Sequence, residues 1–143
     1  MKKMIRFSLI AITALIVLSS CKKDDKSNTE LLTAGNWRLV SEMEKVDNGN
    51  WVENIGTYSA CELDDYIIFK TNNTYEFNEG ATKCDPTDPQ IETGIWAFGA
   101  NESTLSVDGQ PVDLNELSGS TLIVSSSYTF GVNTYYSKQT YKH

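Results

Sequence analysis

From Asn36 onward, apolar and polar residues alternate in short runs punctuated by turn residues, the period expected of strands with one buried face. Trp37, Leu39, Ser41 and Met43 fall on one side of a first strand, with Arg38, Glu42 and Glu44 on the other. Asp47-Asn48-Gly49-Asn50 ends that strand with the Asn-Gly chemistry of a tight reversal. Ile67 and Phe69 alternate with Ile68 and Lys70, and Asn72-Asn73 turns the chain into Tyr75-Glu76-Phe77, a hairpin. A Pro- and Asp-rich loop, Asp85 to Pro89, precedes a strand at Ile95-Trp96-Ala97-Phe98. Leu105 and Val107 lie before the hairpin signal Asp108-Gly109. Val112, Leu114 and Leu117 mark a further strand or a short irregular element. Leu122-Ile123-Val124 and Tyr128 to Tyr141 supply the last pair, turning at Gly131 to Asn133.

This pattern predicts an all-β domain of eight antiparallel strands, a barrel or a sandwich. An open sheet of that size would leave bare edges, so closure into a barrel is the expectation. One helical turn, Glu30 to Ala34, stops at Gly35 and is placed to plug one barrel end.

The first 20 residues follow another pattern. Lys2, Lys3 and Arg6 precede the apolar run Phe7–Leu18. A membrane-spanning helix needs about 20 apolar residues, so this run reads as the core of a secretory signal peptide. Leu18-Ser19-Ser20-Cys21 resembles a bacterial lipobox, which implies cleavage before Cys21 and lipidation of its thiol. Lys22-Lys23-Asp24-Asp25-Lys26 resembles the export signal of Bacteroidetes-type lipoproteins, which implies the outer face of the outer membrane. The expected organisation is a signal peptide over 1–20, a lipidated polar tether over 21–30 and the barrel over 31–143.

The 143 residues carry a net charge of -7, and the basic signal segment makes the remainder more acidic still. Such a surface repels phosphate backbones, so nucleic acid is not an expected partner. With Cys21 acylated, Cys61 and Cys84 remain as an even pair in an exported chain, which favours a disulfide. The sole histidine is His143, at an end expected to fray, so there is no catalytic triad to build and most zinc chemistry is out of reach. Glu42 and Glu44 read as a solvated strand face. Glu62, Asp64 and Asp65 would approach Asp85 and Asp88 if the disulfide forms, but turn chemistry explains them and no EF-hand spacing is present. No catalytic residue, cofactor or metal is assigned.

Gly35-Asn36-Trp37 looks like the Gly-x-Trp motif that opens lipocalins. Together with Cys61, Asp64-Asp65, Phe69, Tyr75, Gly80, Cys84, Asp88, Gly94 and Trp96, it resembles the lipocalin-like domain of Bacteroidetes-type outer-membrane lipoproteins. The resemblance covers residues 31 to 142 and implies a small eight-stranded up-and-down barrel with one disulfide. Lipocalins place an Arg from the last strand over the first-strand Trp. Here Lys138 or Lys142 is the nearest substitute.

The lipocalin analogy implies a small apolar or amphipathic ligand inside the barrel, with Trp37, Phe69, Tyr75, Phe77, Trp96, Phe98, Tyr128 and Tyr135 as the candidate ligand-binding residues. Further inward candidates are Leu39, Ile67, Leu105 and Val107, while Tyr136 and Tyr141 join the tyrosines of a possible mouth. The alternative is an interior filled by these side chains, with loops and outer face recognising a protein or glycan. On either reading the protein is non-enzymatic.

Overall fold

The computed structural model describes residues 26–143; the expected signal peptide and Cys21 lie outside the described residues. Ser27 caps helix α1 (Asn28–Leu32) in a capping box with Glu30, so the end of the expected tether is already ordered. The strands are β1 (Asn36–Val46), β2 (Val52–Glu53), β3 (Tyr66–Phe69), β4 (Thr74–Asn78), β5 (Ile91–Phe98), β6 (Thr104–Val107), β7 (Gln110–Leu117), β8 (Thr121–Phe130) and β9 (Asn133–Lys142). All pairings are antiparallel, each of β3 to β8 joins its successor, and β9 returns to β1. Eight strands therefore close an up-and-down barrel, and two-residue β2 is a short addition on β1.

On its other edge, β1 pairs with β3 through Asn36 and Trp37, then with β2 through Met43 and Glu44. Between these pairings the seam is bridged by the segment that carries helix α2 (Ala60–Leu63). Asn54 N–H donates to Glu42 O at 2.7 Å, and Glu53 accepts from Ser41 Oγ and from Glu42 N–H. The disulfide Cys61–Cys84 ties α2 to the loop between β4 and β5, with Cα atoms 5.3 Å apart.

One half of the barrel is solid. Leu32, Trp37, Phe69, Trp96, Leu105, Leu122 and Val124 are buried together, and α1 plugs this end. Trp37 Nε1 donates to Leu32 O at 2.7 Å, and Trp96 Nε1 to Lys70 O at 3.0 Å, so both indoles are buried with their donors satisfied. Trp96 meets Phe69 and Phe98 edge-on at 5.9 and 5.3 Å, geometry that adds about 0.5–1.5 kcal/mol per pair beyond area burial. The position over Trp37 is taken by His143, 4.5 Å away and perpendicular, and not by Lys138 or Lys142. The terminal histidine, expected to fray, is packed. A Cβ at Gly35 would come within 2.6 Å of His143 Nδ1, which gives the glycine of the Gly-x-Trp motif a local reason.

A bulge in β1 corrects the expected face assignment. Leu39 pairs with Tyr141 but Ser41 with Thr140, so Val40 is the extra residue and the alternation shifts. Glu42 then shares a cross-strand row with Gln139 and buried Val124, and Glu44 a row with Ser137. Both glutamates face the lumen, while Ser41 and Met43 face out. The element at Val112–Leu117 is a full strand, β7, with its own bulge at Asn115 between Leu114 and Glu116.

The opposite half has uneven walls. The β6–β7 hairpin turns early, at Asp108-Gly109. As a result Ile91–Gly94 pair only with β4, and Ser126–Phe130 only with β9. Two tall walls rise above a low one, and the lumen between them stays open.

Candidate functional site

Two cavities occupy the open half. The first, about 280 Å³, lies at the seam of β1 and β3, with Trp37, Leu39, Ile67 and Phe77 as apolar surfaces. The second, about 540 Å³, lies at the rim under the β1–β2 hairpin, bordered by Val46, Val52, Tyr128 and Tyr135. Together they match the usual scale of small-molecule sites, which run from about 300 to 1,000 Å³.

A chain of polar groups lines the same seam cavity and continues in register towards the rim. Tyr58 O–H donates to one Glu42 carboxylate oxygen, and Gln139 Nε2 donates to the other at 2.8 Å. Tyr141 O–H donates to Gln139 Oε1 at 2.9 Å. The bond to Glu42, followed by burial and the carboxylate charge, pushes the Tyr58 phenol well above its ordinary value. Burial first, then the Glu42 charge, pushes Tyr141 up to about 12. Both phenols thus stay protonated: Tyr58 holds Glu42 as an acceptor, and Tyr141 orients the Gln139 amide that donates to it. Going outward, the lumen has an apolar floor, a polar belt, and a mouth where Tyr128 and Tyr135 stack at 5.0 Å.

Asp65 borders the seam cavity beside Glu62. Burial first, then the charges of Glu79, Asp64 and Glu62, push its carboxyl up to about 6. Its Oδ1 is shielded from solvent and has no hydrogen-bond donor among the described residues. Asp64 Oδ2, by contrast, accepts from the Ala81 and Thr82 N–H groups, and Asp85 accepts from Thr87. These contacts build loops. Among the described residues no group of three or more His, Cys, Asp or Glu is placed to hold a metal ion.

The candidate ligand residues divide between the two halves. Trp37 and Phe77 border the seam cavity, and Tyr128 and Tyr135 border the rim cavity. Phe69 and Trp96 are buried in the solid half, where Tyr75 and Phe98 pack against them. Tyr75 lies opposite Gly94, and its O–H donates to Asp108 Oδ2 at 2.5 Å, which fastens the β6–β7 turn to β4. Tyr136 is on the outer surface, across from Lys45, whereas Tyr141 is deep in the lumen.

Glu42, Tyr58 and Gln139 were not legible as site residues. Tyr58 and Gln139 sit in no pattern that marks them. For Glu42 a signal existed: the adjacent apolar pair Leu39-Val40 interrupts the alternation of β1, as a bulge does.

No curated protein and no solved structure matches the chain. A family model described as a lipocalin-like domain matches residues 33–124, from the end of α1 into the middle of β8. That stretch includes the first-strand tryptophan, the disulfide and most of the solid half of the barrel, while α1 and β9, which completes closure, lie outside it. A match over most of the chain and a closed eight-stranded barrel agree: the chain belongs to the family of lipocalin-like domains.

Proposed function

We propose that this protein is a non-enzymatic binding protein that takes a small amphipathic molecule into the open half of its barrel. It works as a lipoprotein anchored through Cys21 at the outer face of the outer membrane. The observation that carries the ligand reading is the layering of the lumen. An apolar floor at Trp37, Leu39, Ile67 and Phe77 gives way to the Glu42–Gln139–Tyr141 belt and then to the stacked tyrosines at the mouth. A ligand with an apolar body and a polar group that donates hydrogen bonds satisfies each layer in turn, whereas a wholly apolar one would strip Glu42 of water without compensation.

The lipobox and the acidic–basic segment behind it support the anchor. One lipid chain binds membranes only marginally, but several together hold firmly. Since α1 plugs the solid end, a tether at its start would leave the open end facing away from the membrane.

The test is a titration with fatty acids, sterols and bile-type amphiphiles, followed by tryptophan fluorescence and native mass spectrometry. Trp37 borders the lumen and should report saturable binding at one ligand per chain. Silence across the panel would favour the second reading, a partner-binding module. That reading draws support from the β8–β9 tip, where Phe130 and Val132 are exposed. For the anchor, Cys21→Ser should move the protein from the membrane fraction to the soluble one.

A further inference from the structure

The outer wall carries a further concavity, on the opposite face of the sheet from the lumen, with Lys45 and Tyr136 bordering both it and the rim cavity. The outer concavity measures about 290 Å³ and crosses β1, β9, β8 and β7. Two cross-strand rows form its floor: Lys45, Tyr136 and Ser127 in one, and Lys138, Ser125 and Asp113 in the other. Trp51, from the loop between β1 and β2, lies over the lysines. Lys45 Nζ and Lys138 Nζ are each 5.1 Å from its ring centroid, and Lys45 Nζ is 4.7 Å from that of Tyr136. Asp113 and Asn115 border the other side, Asn115 being the residue that the β7 bulge inserts.

The charge arrangement is the unusual part. In a chain with 19 acidic and 12 basic residues, carboxylates are plentiful, yet neither ammonium has one at ion-pair distance among the described residues. Two like charges held against one indole repel each other, a cost that a bound anion would remove. Cation–π contact orients the ammoniums but leaves their N–H donors unused. The indole is 38% exposed and offers a flat apolar face. Opposite it, the carboxylate of Asp113 disfavours a second anionic group but accepts hydrogen bonds from hydroxyls, as do Asn115, Ser125 and Ser127.

We propose that this groove binds a saccharide bearing a carboxylate, that is, a uronic-acid-type glycan. The sugar carboxylate pairs with Lys45 and Lys138, its C–H face lies on Trp51, and its hydroxyls bond to Asp113 and Asn115. This assignment does not rest on the lumen reading.

The experiment is calorimetric titration of the protein with a galacturonic acid trimer, alongside a neutral galactose oligomer, a sulfated oligosaccharide and a polyglutamate peptide. The expected result is saturable binding of the uronate at least tenfold tighter than the neutral oligomer and weakened by salt. Trp51→Ala should reduce it tenfold or more, and Lys45→Gln and Lys138→Gln severalfold each. Trp51 is exposed and the two lysines are half-buried on the outer wall, and thermal unfolding of each variant checks that the barrel is intact. Leu39→Trp, which fills the lumen, should leave uronate binding unchanged. Four results would each overturn the assignment. These are no uronate binding at millimolar concentration, equal binding of the neutral sugar, tighter binding of the peptide or the sulfated chain, or self-association through this face that Trp51→Ala abolishes.

Discussion

Truncating one side chain in each half of the barrel measures how differently the two are packed. Leu105 is 1% exposed and lies within the cluster of Trp37, Phe69 and Trp96. Leu105→Ala removes three carbons from a site that borders neither cavity of the open half, so both the transfer free energy and the new cavity count. The cost should be about 3–5 kcal/mol. Leu39 is half-buried and already borders the seam cavity, so Leu39→Ala enlarges an existing space and should cost about 1–2 kcal/mol. Small domains have only about 5–15 kcal/mol in total, so the first change should lower the urea midpoint steeply and the second mildly, at equal slope. Ligand affinity should respond in the opposite order, with Leu39→Ala altering it and Leu105→Ala not. Equal costs at the two sites would refute the division into a solid and an open half.

Other perturbations probe the supports of the site. Cys61→Ser opens a loop spanning 23 residues and should cost about 3 kcal/mol by unfolding under oxidising conditions, a gap that vanishes when both proteins are reduced. Asp65 has its carboxyl raised to about 6 in the fold, so the stability it contributes is full below its unfolded value near 4 and is lost as pH climbs through 6. Asp65→Asn should therefore gain on the wild type between pH 4 and pH 7 in parallel denaturant titrations, and a gap independent of pH would contradict this. Gly94→Ala drives a methyl into Asp108 Oδ1 and the Tyr75 ring, and should cost about 1–3 kcal/mol. The hydrogen bond to Asp108 is the largest cause of a Tyr75 phenol pKa of about 12, so ultraviolet titration of the variant should show it falling towards 10.

The strand count, the barrel class, the 61–84 disulfide and the turns at Asn73 and Asp108-Gly109 were readable because each rests on local chemistry: period-two alternation, paired cysteines, residues that tolerate positive φ. The lumen was less readable because its polarity depends on one inserted residue. Val40 reverses the facing of everything after it in β1, so Glu42 and Glu44, which look like a solvated stripe, enter the barrel. Tyr58 reaches Glu42 from an irregular segment, where no periodicity can forecast a contact. His143 reaches Trp37 only because closure brings the chain end to its beginning. The aromatic candidates illustrate a further limit. Alternation identifies an inward side chain but not its height in the barrel, so Phe69 and Phe77 look equivalent in sequence, while one is core and the other borders a cavity.

The most direct test of an amphiphile-binding lumen is methyl-resolved NMR of the protein during amphiphile titration. Binding as described predicts saturable shifts at Leu39, Ile67 and Val46, with Leu105 and Leu122 unmoved. Shifts confined to the outer wall or the β8–β9 tip, or none at any ligand concentration, would contradict it.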